Sequence, residues 1–99
     1  MTFFAQHYDA TIRNLEETLA AMIDAGSDFD FTRSGDVLTI EFEDGEKIVI
    51  TPQSPMEQLW ISANYAGHRF NWKDERWVNE KNPSETFDDF IACAIETKT

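Results

Sequence analysis

Carboxylates are the side chains in this sequence whose number and spacing could do chemistry. Residues 1–46 carry eleven of them against two basic residues, Arg13 and Arg33. Glu16 and Glu17 precede Asp24 by about two turns of a 3.6-residue helix. Asp28 and Asp30 alternate along an extended run and project to one side of it. If that side adjoins the helix, the acids form a ridge. Oxygen donors of this kind suit hard cations such as Fe³⁺, Mg²⁺, Ca²⁺ or Mn²⁺ and take Fe²⁺ weakly. No spacing matches an EF-hand or another tight cage, so the pattern supports a shallow, exposed, weak site or a solvated acidic face. His7 could add a nitrogen near the helix start, although a lone histidine is more often an ordinary surface residue. His68 has no second ligand at a useful spacing. The chain has no glycine-rich phosphate loop, nucleophile elbow or HExxH motif.

The global charge points the same way. Asp and Glu number 19 against 8 Lys and Arg, a formal net charge of −11. Such a chain lacks the basic footprint that nucleic acid or an anionic membrane requires. It fits cations or a basic protein partner, toward which a summed negative field steers. The one cysteine, Cys93, allows neither an internal disulfide nor a thiolate zinc site. Its place on the flank of a helical stripe predicts a partly buried structural thiol. No run reaches the roughly 20 apolar residues of a membrane span. The N-terminus lacks the basic start and apolar run of a signal peptide. The expectation is a cytoplasmic, monomeric protein of one 99-residue domain.

Two helices and a sheet must position these groups. Phe4, Tyr8, Ile12, Leu15, Leu19, Met22 and Ile23 recur at steps of four and three, which predicts an amphipathic helix that Gly26 stops. Asp9, Arg13, Glu16, Glu17 and Asp24 take its polar side. Next come alternating runs around Phe29–Phe31, Leu38–Ile40–Phe42, Ile48–Ile50, Leu59–Ile61 and Phe70–Trp72, with DERWV as a last strand. Ser34-Gly35-Asp36 and Asp44-Gly45 mark hairpin turns, and Pro52 and Pro55 bound a loop. NPSETFDDFIACAIETK predicts a second helix, with Thr86 and Asp89 at capping-box spacing and Phe87, Phe90, Ile91, Ala94 and Ile95 as its apolar stripe. Strands in one consecutive run joined by short turns predict an antiparallel meander of about five to six strands. Two single-striped helices must cover the same face of it, giving a two-layer α+β sandwich. Leu59 and Ile61 then belong to the core, while Gln58 and Trp60 stand on the uncovered face. A tryptophan there is either a contact anchor or a flat packing residue.

Across VLTIEFEDGEKIVITPQSPMEQLWIS, then AGHRFNW, Trp77 and ETFDDF, the chain resembles the frataxin family in its bacterial form, over nearly its whole length. Gln53, Pro55, Gln58, Trp60 and the strand reaching Trp72 are the most specific part. The resemblance implies a frataxin-like α-β-α sandwich and a non-enzymatic iron-binding regulator, or iron chaperone, of iron–sulfur cluster assembly. It implies weak binding of Fe²⁺ and Fe³⁺, with other divalent or trivalent cations substituting. It also implies docking on a cysteine desulfurase beside the iron–sulfur scaffold protein. By position it assigns the metal-binding ridge to Glu16, Glu17, Asp28 and Asp30, with Asp9, Asp24 and His7 nearby. The partner surface falls to Gln53, Gln58 and Trp60, with Arg69 at its margin. Two departures stand out. Thr51-Pro52-Gln53 occupies the place of the family's Asn-Lys/Arg-Gln run, so only Gln53 transfers. Ala20 and Ala21 stand where bacterial members often carry further acids. An acidic protein-binding module without a physiological metal is the alternative reading. A ferroxidase ranks last, because no compact di-iron ligand set is present.

Overall fold

The computed structural model describes residues 4–53, 56–63, 66–73, 76–82 and 84–98. Pro55 of the expected loop, Asp74 and Glu75 of the expected last strand, and Pro83 ahead of the second helix lie outside the described residues. The elements run α1 (Phe4–Asp24), β1 (Phe29–Ser34), β2 (Val37–Phe42), β3 (Lys47–Gln53), β4 (Gln58–Ala63), β5 (Ala66–Lys73), β6 (Arg76–Asn79) and α2 (Phe87–Lys98). The six strands pair in chain order, each antiparallel to the next. This is the meander and two-layer arrangement that the spacing predicts.

Turn chemistry sets the register. β1 and β2 are joined by a two-residue turn in which Gly35 has φ 60°, the positive value a II′ hairpin needs at its first position. At the next hairpin, Gly45 has φ 87° and its N–H donates to the Phe42 carbonyl at 3.0 Å. α1 ends in a Schellman motif. Gly26, at φ 107°, donates to Ile23, and Ser27 donates to Met22, both at 3.0 Å, which satisfies carbonyls the helix would leave open. α2 starts on the predicted cap, with the Asp89 amide donating to Thr86 Oγ1 at 3.2 Å.

Both helices bury their stripes on one face of the sheet. Tyr8, Ile12, Leu15 and Leu19 of α1 and Phe87, Ile91 and Ile95 of α2 close over Leu38, Ile40, Ile48, Ile50, Leu59, Ile61 and Phe70. Burying each Leu, Ile or Phe is worth about 1.5–3 kcal/mol, so this layer supplies the fold's main driving force. A groove of about 970 Å³ runs between the helices, lined by Leu15, Met22, Trp77, Ile91 and Ile95 among others. Cys93 is exposed, which corrects the expectation of a partly buried thiol. It lies two residues, about 200° of helix, from Ile91 and so turns away from the sheet. Among the described residues, no helix is long and apolar enough to cross a membrane.

Candidate cation- and partner-binding surface

Phe29 is buried, so alternation turns Asp30 to the face the helices do not cover, and Asp28, the residue before β1, is exposed. The acids of α1 lie on the other layer. The two sets meet only around the edge strand β1, so the ridge bends over an edge rather than covering one surface.

Arg33 joins the layers there. It lies opposite Leu38 in the β1–β2 ladder, which aims its side chain toward α1. Its Nη1 donates to Glu16 Oε1 at 2.7 Å, its Nη2 to Asp9 Oδ1 at 2.9 Å, and its Nε to the Gly35 carbonyl at 3.1 Å. Arg13 holds the second oxygen of Asp9, Oδ2, at 2.7 Å. Both oxygens of Asp9 are therefore engaged by guanidinium groups. The Arg33 hydrogen bond is the main reason the Asp9 carboxyl titrates below its usual range. Glu16, and then Asp9, raise the affinity of Arg33 for its own proton. Neither basic residue was assigned a place in the site from the sequence, although their scarcity among eleven acids was the available signal.

The remaining acids differ. Glu17, Asp24, Asp28 and Asp30 are exposed and, among the described residues, form no ion pair. Asp24 sits in the last turn of α1, where no basic residue accompanies it and the helix dipole disfavours an anion. Asp30 stands directly across from Glu41, a like-charge pair that disfavours the sheet. Lys47 offsets it only from the far side of Glu41, at 3.3 Å. Asp28 lines a hollow of about 510 Å³ with Glu43 and Asp44 of the β2–β3 hairpin, two acids that the sequence reading left outside the site. His7 does not join any of these. Its ring stacks on Trp72 at 4.1 Å, on β5, four strands from β1. Among the described residues, no three His, Cys, Asp or Glu side chains gather as a metal cage.

On the uncovered face, Thr51, Trp60 and Arg69 are aligned across β3, β4 and β5. Trp60 is half-buried. Its indole N–H donates to Gln58 Oε1 at 2.9 Å, and the Arg69 guanidinium lies over its ring, 4.9 Å from the centroid. Gln58 is only 4% exposed; its amide donates to Asn71 Oδ1 at 3.1 Å and Glu80 Oε1 at 3.2 Å. Gln58 therefore orients the indole from beneath and does not itself present a surface. Gln53 is half-buried opposite it in the ladder. Arg69 also approaches Glu80, at 3.9 Å. Near the start of β4, Met56 is 56% exposed, an apolar group the sequence reading passed over. Glu57 beside it has φ 52°, an uncommon backbone for a residue with a side chain.

Comparison with known proteins agrees with this architecture. A family model described as a frataxin-like domain matches residues 1–99. The iron-sulfur cluster assembly protein CyaY of Paraburkholderia phymatum is 39% identical over 79 residues, 80% of this chain and 72% of that protein. The CyaY of Vibrio cholerae is 37% identical over 84 residues, 85% of this chain and 78% of that protein. Among solved structures, the frataxin of Psychromonas ingrahamii superposes with a TM-score of 0.87 at 28% identity, covering 97% of this chain and 88% of that one. With its order of helix, six-stranded meander and helix, and with a family match along its full length, the chain belongs to the frataxin-like family.

Proposed function

We propose that this protein serves iron–sulfur cluster assembly as a non-enzymatic regulator, docking on a basic face of the cysteine desulfurase through the acidic edge at α1 and β1. The carrying observation is where the exposed acids stand. Asp24 opposes its own helix dipole and Asp30 opposes Glu41. Stability alone disfavours both positions, and a cationic partner relieves both. Relatives of this chain bear the name of iron–sulfur cluster assembly proteins, which supports the same reading. Trp60 and Arg69 would add an amphipathic contact on the adjoining sheet face, with the exposed Met56 close by in sequence.

Iron in this reading is cargo, held loosely by Glu17, Asp24, Asp28 and Asp30 through carboxylate oxygens. The pairing of Asp9 with two arginines leaves it out of this set on the helical side. The test is a titration of the desulfurase at matched ionic strength, with and without Fe²⁺. Glu17→Lys combined with Asp30→Lys should weaken binding severalfold, and the loss should shrink as salt rises. Unchanged binding would refute the acidic edge as the docking face. Binding that needs no Fe²⁺ and is unmoved by it would leave a protein-binding module without a metal role.

A further inference from the structure

We propose that Arg33 is a built-in counter-ion that withholds Asp9 and Glu16 from cations, making them a tie between α1 and β1 rather than part of the working acidic surface. The proposal deepens the reading above, because it decides which of the acids at this edge are available to a ligand. Three observations carry it. One guanidinium bridges two carboxylates that lie seven residues apart on α1, at 2.9 Å and 2.7 Å. Its third donor is committed to the Gly35 carbonyl, at 3.1 Å, so the group is anchored to its own hairpin. The second oxygen of Asp9 is closed by Arg13.

The physical contrast is between attached and dissolved cations. The Arg33 side chain is 25% exposed and its partners 36% and 30%, so the bridge is partly screened from solvent. A dissolved divalent ion seeking Asp9 or Glu16 must displace a tethered charge with no translational freedom to lose, and must shed water to do so. Arginine's planar fork matches paired carboxylates in a way that a hydrated ion does not. Glu17 is adjacent to Glu16 in sequence but exposed, and no ion pair holds it among the described residues. Neighbouring acids of one helix thus have different availability.

The test uses Mn²⁺ as the probe, its free concentration read by electron paramagnetic resonance in the whole protein. Asp9→Asn and Glu16→Gln should leave Mn²⁺ affinity nearly unchanged, whereas Glu17→Gln, carrying the same charge change, should lower it. Arg33→Gln should raise affinity by about tenfold or more, the scale of one unit charge removed near 5 Å from a divalent ion in a water-like dielectric. Adding Asp9→Asn to Arg33→Gln should abolish the gain. Arg33→Met, which keeps the apolar stem, carries the same test if the glutamine variant does not fold. The proposal is overturned if Asp9→Asn and Glu17→Gln weaken Mn²⁺ equally, or if removing Arg33 changes nothing. Loss of the acidic-edge reading has a different signature: Glu17→Gln and Asp30→Asn would then leave Mn²⁺ unmoved, while the gain on removing Arg33 and its reversal by Asp9→Asn would still be read.

Discussion

The indole N–H of Trp60 donates to Gln58 Oε1 at 2.9 Å, between residues two apart on the same face of β4. This bond holds the ring along the sheet instead of letting it project. The amide nitrogen of Gln58 is spent on Asn71 and Glu80, so one buried side chain ties β4 to β5 and to the residue that follows β6. Arg69 covers the ring from above. The tryptophan is both packed and presented.

Gln58→Leu should therefore act twice. It leaves the indole N–H without its acceptor and removes a donor from Asn71 and Glu80. Unmaking part-buried hydrogen bonds of this kind costs about 0.5–1.5 kcal/mol each. For a domain of this size each kcal/mol lowers the thermal midpoint by about 4–8 °C. Circular dichroism melts give the midpoint, and a red shift of tryptophan emission reports the freed ring. An unaltered midpoint and spectrum would show the network to be dispensable.

Trp60→Ala should weaken desulfurase binding and also lower the thermal midpoint, because the ring is half-buried and stacked beneath a guanidinium. Cation–π contacts at such sites contribute about 0.5–2 kcal/mol. Trp60→Phe should retain most of the stability and lose the hydrogen bond to Gln58. Paired melts and binding titrations separate the two roles. Full affinity in the alanine variant would remove Trp60 from the interface.

Acid should loosen the α1–β1 edge through Asp9. Its carboxyl is held below the usual range first by the Arg33 hydrogen bond, with Arg13 adding. A depressed carboxyl stabilises the fold above its unfolded pKa, and that stabilisation is lost as pH falls through the folded value. Urea midpoints compared between about pH 6 and about pH 3 bracket the ordinary Asp value near 3.9. Asp9→Asn should be less stable than wild type at the upper end, and the difference should narrow toward the lower. A constant difference across the range would exclude this linkage.

Leu59→Ala should cost about 2–5 kcal/mol, the usual range for a fully buried leucine, since Leu59 is 0% exposed beneath the helices. On the other face of the same strand, Ser62→Ala should change stability by less than about 0.5 kcal/mol. Chemical denaturation of the two variants checks the assignment of β4's faces. Similar losses would contradict it.

Local pattern carried the elements a long way. The steps of four and three from Phe4 to Ile23, the alternation of Leu38, Ile40 and Phe42, and the glycines at 26, 35 and 45 specify helix, strand and turn through interactions within a few residues. They also specify faces, since a helix with one stripe and a strand with one apolar side have one way to bury them. Leu59 and Ile61 lie inside and Trp60 outside for that reason. What periodicity does not contain is the rotation of α1 over the sheet. That rotation brings Arg33 to Asp9 and Glu16, across 24 and 17 residues of chain. It places His7 on Trp72, away from the acids it was expected to join. Alternation put Asp28 and Asp30 on one side of an extended run, but only the packed layers showed that Asp30 stands opposite the helix. Gln58 read as a surface amide because its partners lie on other strands. The sequence by itself determined which residues are acidic and which side of each element they occupy. The tertiary structure decided which of those acids are neutralised, because charge pairing depends on side chains brought together by packing across the chain, not by spacing along it.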